Sequence, residues 1–468
     1  MRRLLLATFI ILCLAATGVA QTGDRIVIVH TGDIHGQILP KDGAGGMAEL
    51  ATILKRSAPD LVLDAGDMFT GTMLSDEPQG KPTIEIMNRL HYAVAALGNH
   101  EFDYGVDAFR ARAKEAQFPI LSANVQGMDE IKPYAILSVR GVRIGVIGLT
   151  TEELTTTAHP KNLKNIKLTT LVNAMETTLP VVRRQSDFII VMAHLTQDEQ
   201  IRIAKSFPEV KLIIAGHPHQ VRTTVVGGTT IVEAGSSSRF VGRLVIRLDG
   251  KVPESITEEA IPVRDVAPDP EIQAVIEPYR NAVGTRSAEK IGEATADLSR
   301  SESEESALNN LIADALRAAT GTQIAIHNVG GIRAGISRGP ITFGSIFDVL
   351  PFSNSVVTLK LTGAQLKRVL SRRVLAVSGI RVGWDITRPS GARLVWVTFS
   401  DGTPIEDDQT YSIATNDFVQ AGGDGLLEFT QAADVADSER LLRETVAGYV
   451  RQNPVISAKT DGRVVINK

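Results

Sequence analysis

Between residues 24 and 264, short apolar runs rich in β-branched residues alternate with stretches of helical period, and all but the run at 142–149 end on or just before Gly, His or Asp. The runs are 25–30, 61–64, 94–97, 142–149, 188–193 and 211–215. Runs of that length and composition read as buried strands. Helical patterns fall between them at 46–57, 82–90 and 168–184. Such alternation restricts the segment to a layered α/β architecture. It also says where chemistry would sit. In open α/β sheets ligands bind beyond the carboxyl ends of the strands, and that is where the polar residues fall.

The pattern changes after residue 264. Residues 263–278 are rich in Pro and charge and read as a linker, to which 271–286 adds a connecting helix. The second half repeats the mixture of types, with helices over 306–320, 363–372 and near 438–450, and strands over 323–327 and 355–361. A chain of 468 residues is long enough for two domains of roughly 100–200 residues each. The expected division is a first domain at 24–264, a linker and connecting helix at 265–286, and a second domain at 287–468. No internal repeat is visible.

The first 20 residues read as a signal peptide. Arg2 and Arg3 precede an apolar run at 4–16, and the small residues Gly18 and Ala20 suit a cut ahead of Gln21. An uncleaved anchor is the weaker reading, as is lipidation at Cys13, because bulky Leu12 precedes it. The expected location is outside the cytoplasm, periplasmic or extracellular. Cys13 is the only cysteine, so removing the signal excludes disulfides and thiolate metal sites. It also removes two arginines and takes the formal charge from −4 to −6. That balance argues against nucleic-acid polymers as partners, which need a basic footprint. No later segment is long and apolar enough to form a stable membrane span. The sequence leaves the oligomeric state open.

Five motifs carry the chemistry: Asp33-Ile34-His35, Gly66-Asp67, Gly98-Asn99-His100-Glu101, Ala193-His194 and Gly216-His217-Pro218-His219. They supply carboxylate oxygen, amide oxygen and imidazole nitrogen, a mix that suits Zn, Mn or Fe. Asp33 and His35 lie two apart, as do His217 and His219, so on an extended strand end each pair points the same way. Any one motif alone is more often a turn or a cap than a ligand. The set of five, each after an apolar strand, points to a metal site.

This order resembles the signature of the calcineurin-like metallophosphoesterases, and the extension Gly98-Asn99-His100-Glu101-Phe102-Asp103-Tyr104-Gly105 looks like the 5′-nucleotidase branch, which includes bacterial UDP-sugar hydrolases and cyclic-nucleotide phosphodiesterases. The resemblance covers nearly all of the mature chain. It implies an α/β fold: a layered α/β/β/α metallophosphoesterase domain followed by a second α/β substrate-binding domain. It also implies two divalent metal ions, Zn, Mn or similar. One would take Asp33, His35 and His219, the other Asn99, His194 and His217, with Asp67 bridging both. Two metals roughly 3.5–4 Å apart acidify a water and clamp the phosphoryl oxygens. By the same resemblance His100 would stabilise phosphoryl charge and protonate the leaving oxygen, and Asp103 would orient its imidazole. His30, His91, His159 and His327 read as structural.

In the second half, Asn328-Val329-Gly330-Gly331-Ile332-Arg333 follows a strand and looks like the family's substrate motif. The resemblance implies that Asn328 contacts a base and Arg333 a phosphate or terminal group. Phe352 and Phe418 would sandwich the base, stacking being worth about 1–3 kcal/mol per base. Asp424, among glycines at 422, 423 and 425, would accept from ribose hydroxyls. One departure stands out: Glu302 and Glu304 occupy positions where the family carries arginines, and Arg300 is the nearest basic residue. The expected activity is an exported dimetal phosphoesterase acting on nucleotides, with cyclic nucleotides and UDP-sugars as further substrates. The alternatives are a thiosulfohydrolase-like enzyme on the same metals and a non-catalytic nucleotide-binding exported protein.

Overall fold

The computed structural model describes residues 25–389 and 391–467; the expected signal peptide lies outside them. The first half is built on strands β1 (Arg25–Thr31), β2 (Leu61–Asp64), β3 (Val94–Ala96), β4 (Ile120–Leu121), β5 (Ile131–Lys132), β6 (Tyr134–Val139), β7 (Val142–Thr150), β8 (Phe188–His194), β9 (Leu212–Gly216), β10 (Val221–Val226), β11 (Thr229–Ala234), β12 (Phe240–Asp249) and β13 (Val252–Pro262). One sheet has the order β13-β12-β1-β2-β3-β4-β5, the other β10-β11-β9-β8-β7-β6. In the first sheet β1 to β5 run parallel; in the second β7, β8, β9 and β11 do.

The apolar runs form strands because both faces of each are covered. All seven residues of β8 are buried. Ile26, Ile28, Leu63, Ile144, Ile190, Met192, Ile214 and Leu244 fill the layer between the sheets. Alternate residues such as Val29, Val62 and Ala95 face helices on one outer side, including Met47–Ser57. Others such as Val191, Ile213 and Ile231 face helices Leu171–Arg183 and Gln197–Ser206 on the other. The result is the α/β/β/α layering. Each fully buried Val, Leu or Ile contributes about 1.5–3 kcal/mol relative to exposure.

The second half centres on strands β14 (Ile324–Asn328), β15 (Ser355–Thr362), β16 (Leu375–Ser378), β17 (Thr410–Asn416) and β18 (Ala433–Leu441), ordered β16-β14-β17-β15-β18. Helix Ala307–Thr320 packs beside β14 and β16, and Gly321 closes it in the left-handed conformation.

Several expectations need correction at the ends of elements. The connecting helix expected at 271–286 runs from Pro270 to Ser287, so only 263–269 of the expected linker lies outside it; Asp269 caps the helix by accepting from the N–H groups of Glu271 and Ile272 at 3.1 and 3.2 Å. Pro278 lies inside this helix. The expected helix from 438 begins at Leu442; residues 438–441 end strand β18, which pairs along the edge of β15. The helix expected from 168 starts at Leu171, where Thr170 caps it, since Lys167–Leu168 is paired as a short strand.

Candidate metal centre

Residues at or just past the ends of β1, β2, β3, β8 and β9 meet at one edge of the two sheets. The backbone there is sharply bent. Asp33, His35, Asp67, His217 and His219 adopt positive φ, between 49° and 93°. Residues other than Gly rarely do so, Asn, Asp and His most often among them, and such conformations cluster at functional sites. The loops are tied to one another. Asp33 N–H donates to Gly66 O at 2.8 Å and His35 N–H to Asp67 O at 2.9 Å. The buried carboxylate of Glu101 accepts from the backbone N–H groups of Gly98, Asp67 and Met68 at 2.7, 3.0 and 2.7 Å. Position 98 has no room for a side chain, because a Cβ there would stand 2.1 Å from Asp67 Oδ1.

These loops assemble two donor groups, Asp33 with His35 and His219, and Asp67 with His194 and His217, whose ligand atoms within each group all lie within 4.8 Å of one another. Asn99 joins the second, its Oδ1 3.2 Å from His194 Nε2. Asp67 stands between the groups: its Oδ2 is 3.0 Å from His194 Nε2 and 3.7 Å from His35 Nε2. Its Oδ1 accepts the His100 N–H at 2.9 Å.

Hydrogen-bond polarity tests whether these residues fit a cation. His35 Nδ1–H donates to Thr70 O at 3.0 Å, and His194 Nδ1–H to Ala65 O at 2.9 Å. In its neutral form each imidazole then has its lone pair on Nε2. Those lone pairs face further ring nitrogens and oxygens. His35 Nε2 is 3.0 Å from His219 Nε2, and His194 Nε2 is 3.3 Å from His217 Nδ1, besides the oxygens of Asp67 and Asn99. Acceptors so close repel unless a cation or proton lies among them. Oriented neutral imidazoles, carboxylates and an amide oxygen are what a borderline divalent ion takes. The electrostatics agree. Burial opposes charge on Asp67, yet the imidazoles around it, His194 foremost, hold its carboxyl well below the usual range. Burial likewise opposes charge on His194, but Asp67 and then Asp33 push it up to about 10.

His100 sits beside this cluster. Its Nδ1–H donates to Asp103 Oδ2 at 2.7 Å, and its ring stacks on Phe352 with centroids 5.3 Å apart and planes 18° apart. Burial works against its protonation, but Asp103 and Asp67 outweigh it and raise its pKa. The imidazole therefore keeps its second proton to higher pH than an ordinary histidine.

A cavity of about 1180 Å³ is lined by all the sequence-predicted site residues except Asp33 and His194, which are fully buried. From the second half it takes in Asn328, Arg333, Phe352, Phe418 and Asp424. The Arg333 guanidinium lies 5.8 Å from the Phe352 ring centre. Asn328 Nδ2 donates to Asp424 Oδ2 at 2.8 Å, and Arg373 pairs with Asp424 Oδ1 at 3.0 Å. The two aromatic rings have different neighbours: Phe352 covers His100, whereas Phe418 meets His159 edge-on at 6.3 Å. Glu302 and Glu304 also differ. Glu302 lines the cavity and is paired with Arg300 at 2.5 Å, whereas Glu304 is exposed and outside the lining.

Several residues at the site went unassigned in the sequence. Glu101 stands inside a motif, but its partners are backbone groups up to 34 positions away. Arg373 carried no local signal. His159, read as structural, lines the cavity. His327 and Asn416 lie directly behind Asn328.

Two families match the chain: Calcineurin-like phosphoesterase over residues 26–221, and 5′-nucleotidase, C-terminal domain, over 283–434. The crystal structure of a 5′-nucleotidase precursor from Thermus thermophilus is 30% identical, covers 94% of this chain and 99% of its own, and superposes with a TM-score of 0.89. The trifunctional nucleotide phosphoesterase protein YfkN of Bacillus subtilis (strain 168) is 29% identical over 510 residues, which span 94% of this chain but 35% of that protein. This chain thus spans about a third of that relative's length. The Thermus thermophilus sulfate thiohydrolase SoxB shares the fold, with a TM-score of 0.83 at 16% identity over 94% of this chain and 96% of its own.

Proposed function

Because the chain belongs to the 5′-nucleotidase family, with its calcineurin-like phosphoesterase and C-terminal portions, we propose that it is a dimetal hydrolase removing phosphate from nucleotides outside the cytoplasm. One observation carries the reading: two clusters of close-set ligand atoms, the His100–Asp103 pair and two aromatic rings come together at one cavity. The basic start and apolar run at 2–16 support export. The catalytic portion is placed at 24–264 and the substrate-binding portion at 287–468.

Asp33, His35 and His219 would hold one ion and Asn99, His194 and His217 the other, with Asp67 shared. When bound, two divalent ions supply Lewis-acid stabilisation of phosphoryl charge and a more acidic water. The chain's own groups do the rest. Asp103 accepts from His100 Nδ1, which turns the other ring nitrogen toward the cavity and holds a proton there. As water oxygen bonds to phosphorus and the ester P–O bond breaks, His100 gives that proton to the leaving oxygen. Arg333 offers paired, charge-assisted hydrogen bonds to phosphate. Phe352 shields one face of His100 from water and, with Phe418, offers a flat apolar surface to a base. The pairing of Glu302 with Arg300 reduces the repulsion an unpaired carboxylate would exert on a phosphate dianion.

Phosphate release from AMP, before and after chelation and after Mn or Zn is returned, tests the reading. Activity should vanish on chelation and recover with metal. Turnover indifferent to chelator, or none with any nucleotide, would sink it. Sulfate release from a thiosulfonate substrate in place of phosphate release would favour the sulfur chemistry instead.

A further inference from the structure

The hydrogen bonds behind Asn328 decide which end of its amide faces the substrate, an argument that rests on the nucleotide reading above. The chain of bonds starts from a group whose polarity cannot change. The backbone N–H of Val419 donates to Asn416 Oδ1 at 2.8 Å. Asn416 is thereby oriented, and its Nδ2 must point the other way. There it donates to Asn328 Oδ1 at 2.9 Å and to His327 Nδ1 at 2.9 Å. Asn328 Nδ2 in turn donates to Asp424 Oδ2 at 2.8 Å. Turning the Asn328 amide over would set its NH2 against that of Asn416 and its oxygen against the Asp424 carboxylate. Both contacts would be repulsive, so the orientation is fixed from two sides.

The other members of the network, His327 and Asn416, are buried with Asn328, and His327 Nε2 has no hydrogen-bond partner among the described residues. Burial pushes His327 down to about 4, so at neutral pH its Nδ1 carries a lone pair and its proton sits on Nε2. Asp424 Oδ1 is taken by Arg373 at 3.0 Å, which holds the carboxylate in place against Asn328.

We propose that Asn416 and His327 are positioning residues that lock Asn328 with its NH2 group toward the cavity, so that the base is selected by a hydrogen-bond acceptor, a ring nitrogen or carbonyl oxygen, at the edge it presents there. An amino group at that edge is rejected. Asp424, beside it, offers only acceptors and takes donors such as sugar hydroxyls.

The test uses AMP, its 1-, 3- and 7-deaza analogues, each with one ring nitrogen replaced by C–H, and ribose 5-phosphate, which has no base. For the wild type, one deaza analogue should lose about tenfold or more in kcat/KM, since a site built to donate rejects the partner lacking the acceptor. Asn416→Asp keeps the shape and still accepts from Val419, but presents an acceptor to His327 and Asn328. In that variant the deaza penalty should nearly disappear while ribose 5-phosphate turns over as before. Nitrogen NMR should show the His327 proton on Nε2 in the wild type and on Nδ1 in the variant. The lock is wrong if all three deaza analogues match AMP, if the variant keeps the penalty, if ribose 5-phosphate and AMP decline together, or if His327 carries its proton on Nδ1 from the start. Wild type that handles AMP no better than ribose 5-phosphate refutes base recognition instead, and the His327 tautomer then decides the lock on its own.

Discussion

In the proposed mechanism His100 separates chemistry from metal retention. It lies against the donor clusters, yet its Nδ1 is committed to Asp103 and its backbone N–H to Asp67. Replacing it with alanine should lower kcat by about 10²–10⁴, the usual contribution of a general acid, while metal content measured by elemental analysis stays near that of the unaltered protein. Loss of metal from His100→Ala would place the residue among the ligands. At this scale the sequence was most readable where a candidate side chain stands at or just past a strand end, as with Asp33, His35 and Asp67, which the structure gathers into donor groups. Glu101 was not readable in the same way. It works by accepting three backbone N–H groups from two separate loops, and nothing in a linear pattern marks which N–H groups a carboxylate will meet.

Elements were legible where burial alone decides them. The fully buried β8 could be little else, and β2 matches its apolar run residue for residue. Strand β18 is the contrary case. Its sequence, Ala-Asp-Val-Ala-Asp-Ser-Glu-Arg-Leu, has eight of nine residues exposed, so no apolar period announces a strand; pairing with the edge of β15 makes it one. The helix Pro270–Ser287 was legible as the connecting helix expected at 271–286 in spite of its prolines, and the signal that sets its start is Asp269. That side chain caps the helix and also accepts from Lys55 Nζ at 2.7 Å. Asp269→Ala should destabilise the protein by about 0.5–2 kcal/mol, the range for a lost N-cap. Urea unfolding would check this, as a lower midpoint with an unchanged slope.

At the scale of the whole molecule, two ion pairs join the halves across the cavity: Lys41 with Asp348 at 2.6 Å and Lys161 with Asp417 at 2.7 Å. Neither could be read from sequence, since the second links residues 256 positions apart. Burial favours the neutral form of Asp417, but hydrogen bonds from His159, Lys161 and Asn354 outweigh it and hold its carboxyl below the usual range. A depressed carboxyl adds stability that is full above its unfolded pKa of about 3.9 and fades as pH falls through the lower folded value. The stability gap between wild type and Asp417→Asn should therefore be constant above about pH 5 and shrink below about pH 4, as read by urea unfolding across that range. A gap that widened in acid would refute the assignment. The close approach of the ring nitrogens of His35 and His219, and of His194 and His217, carries a last consequence. Folding must crowd them together whether or not an ion has arrived, so metal supply and survival of the fold are linked. A ligand at a hundredfold excess over its Kd adds about 2.7 kcal/mol, and a chelated sample should melt at lower temperature in a calorimeter. Scarcity of the ion would then thin the population of intact molecules as well as slow each one.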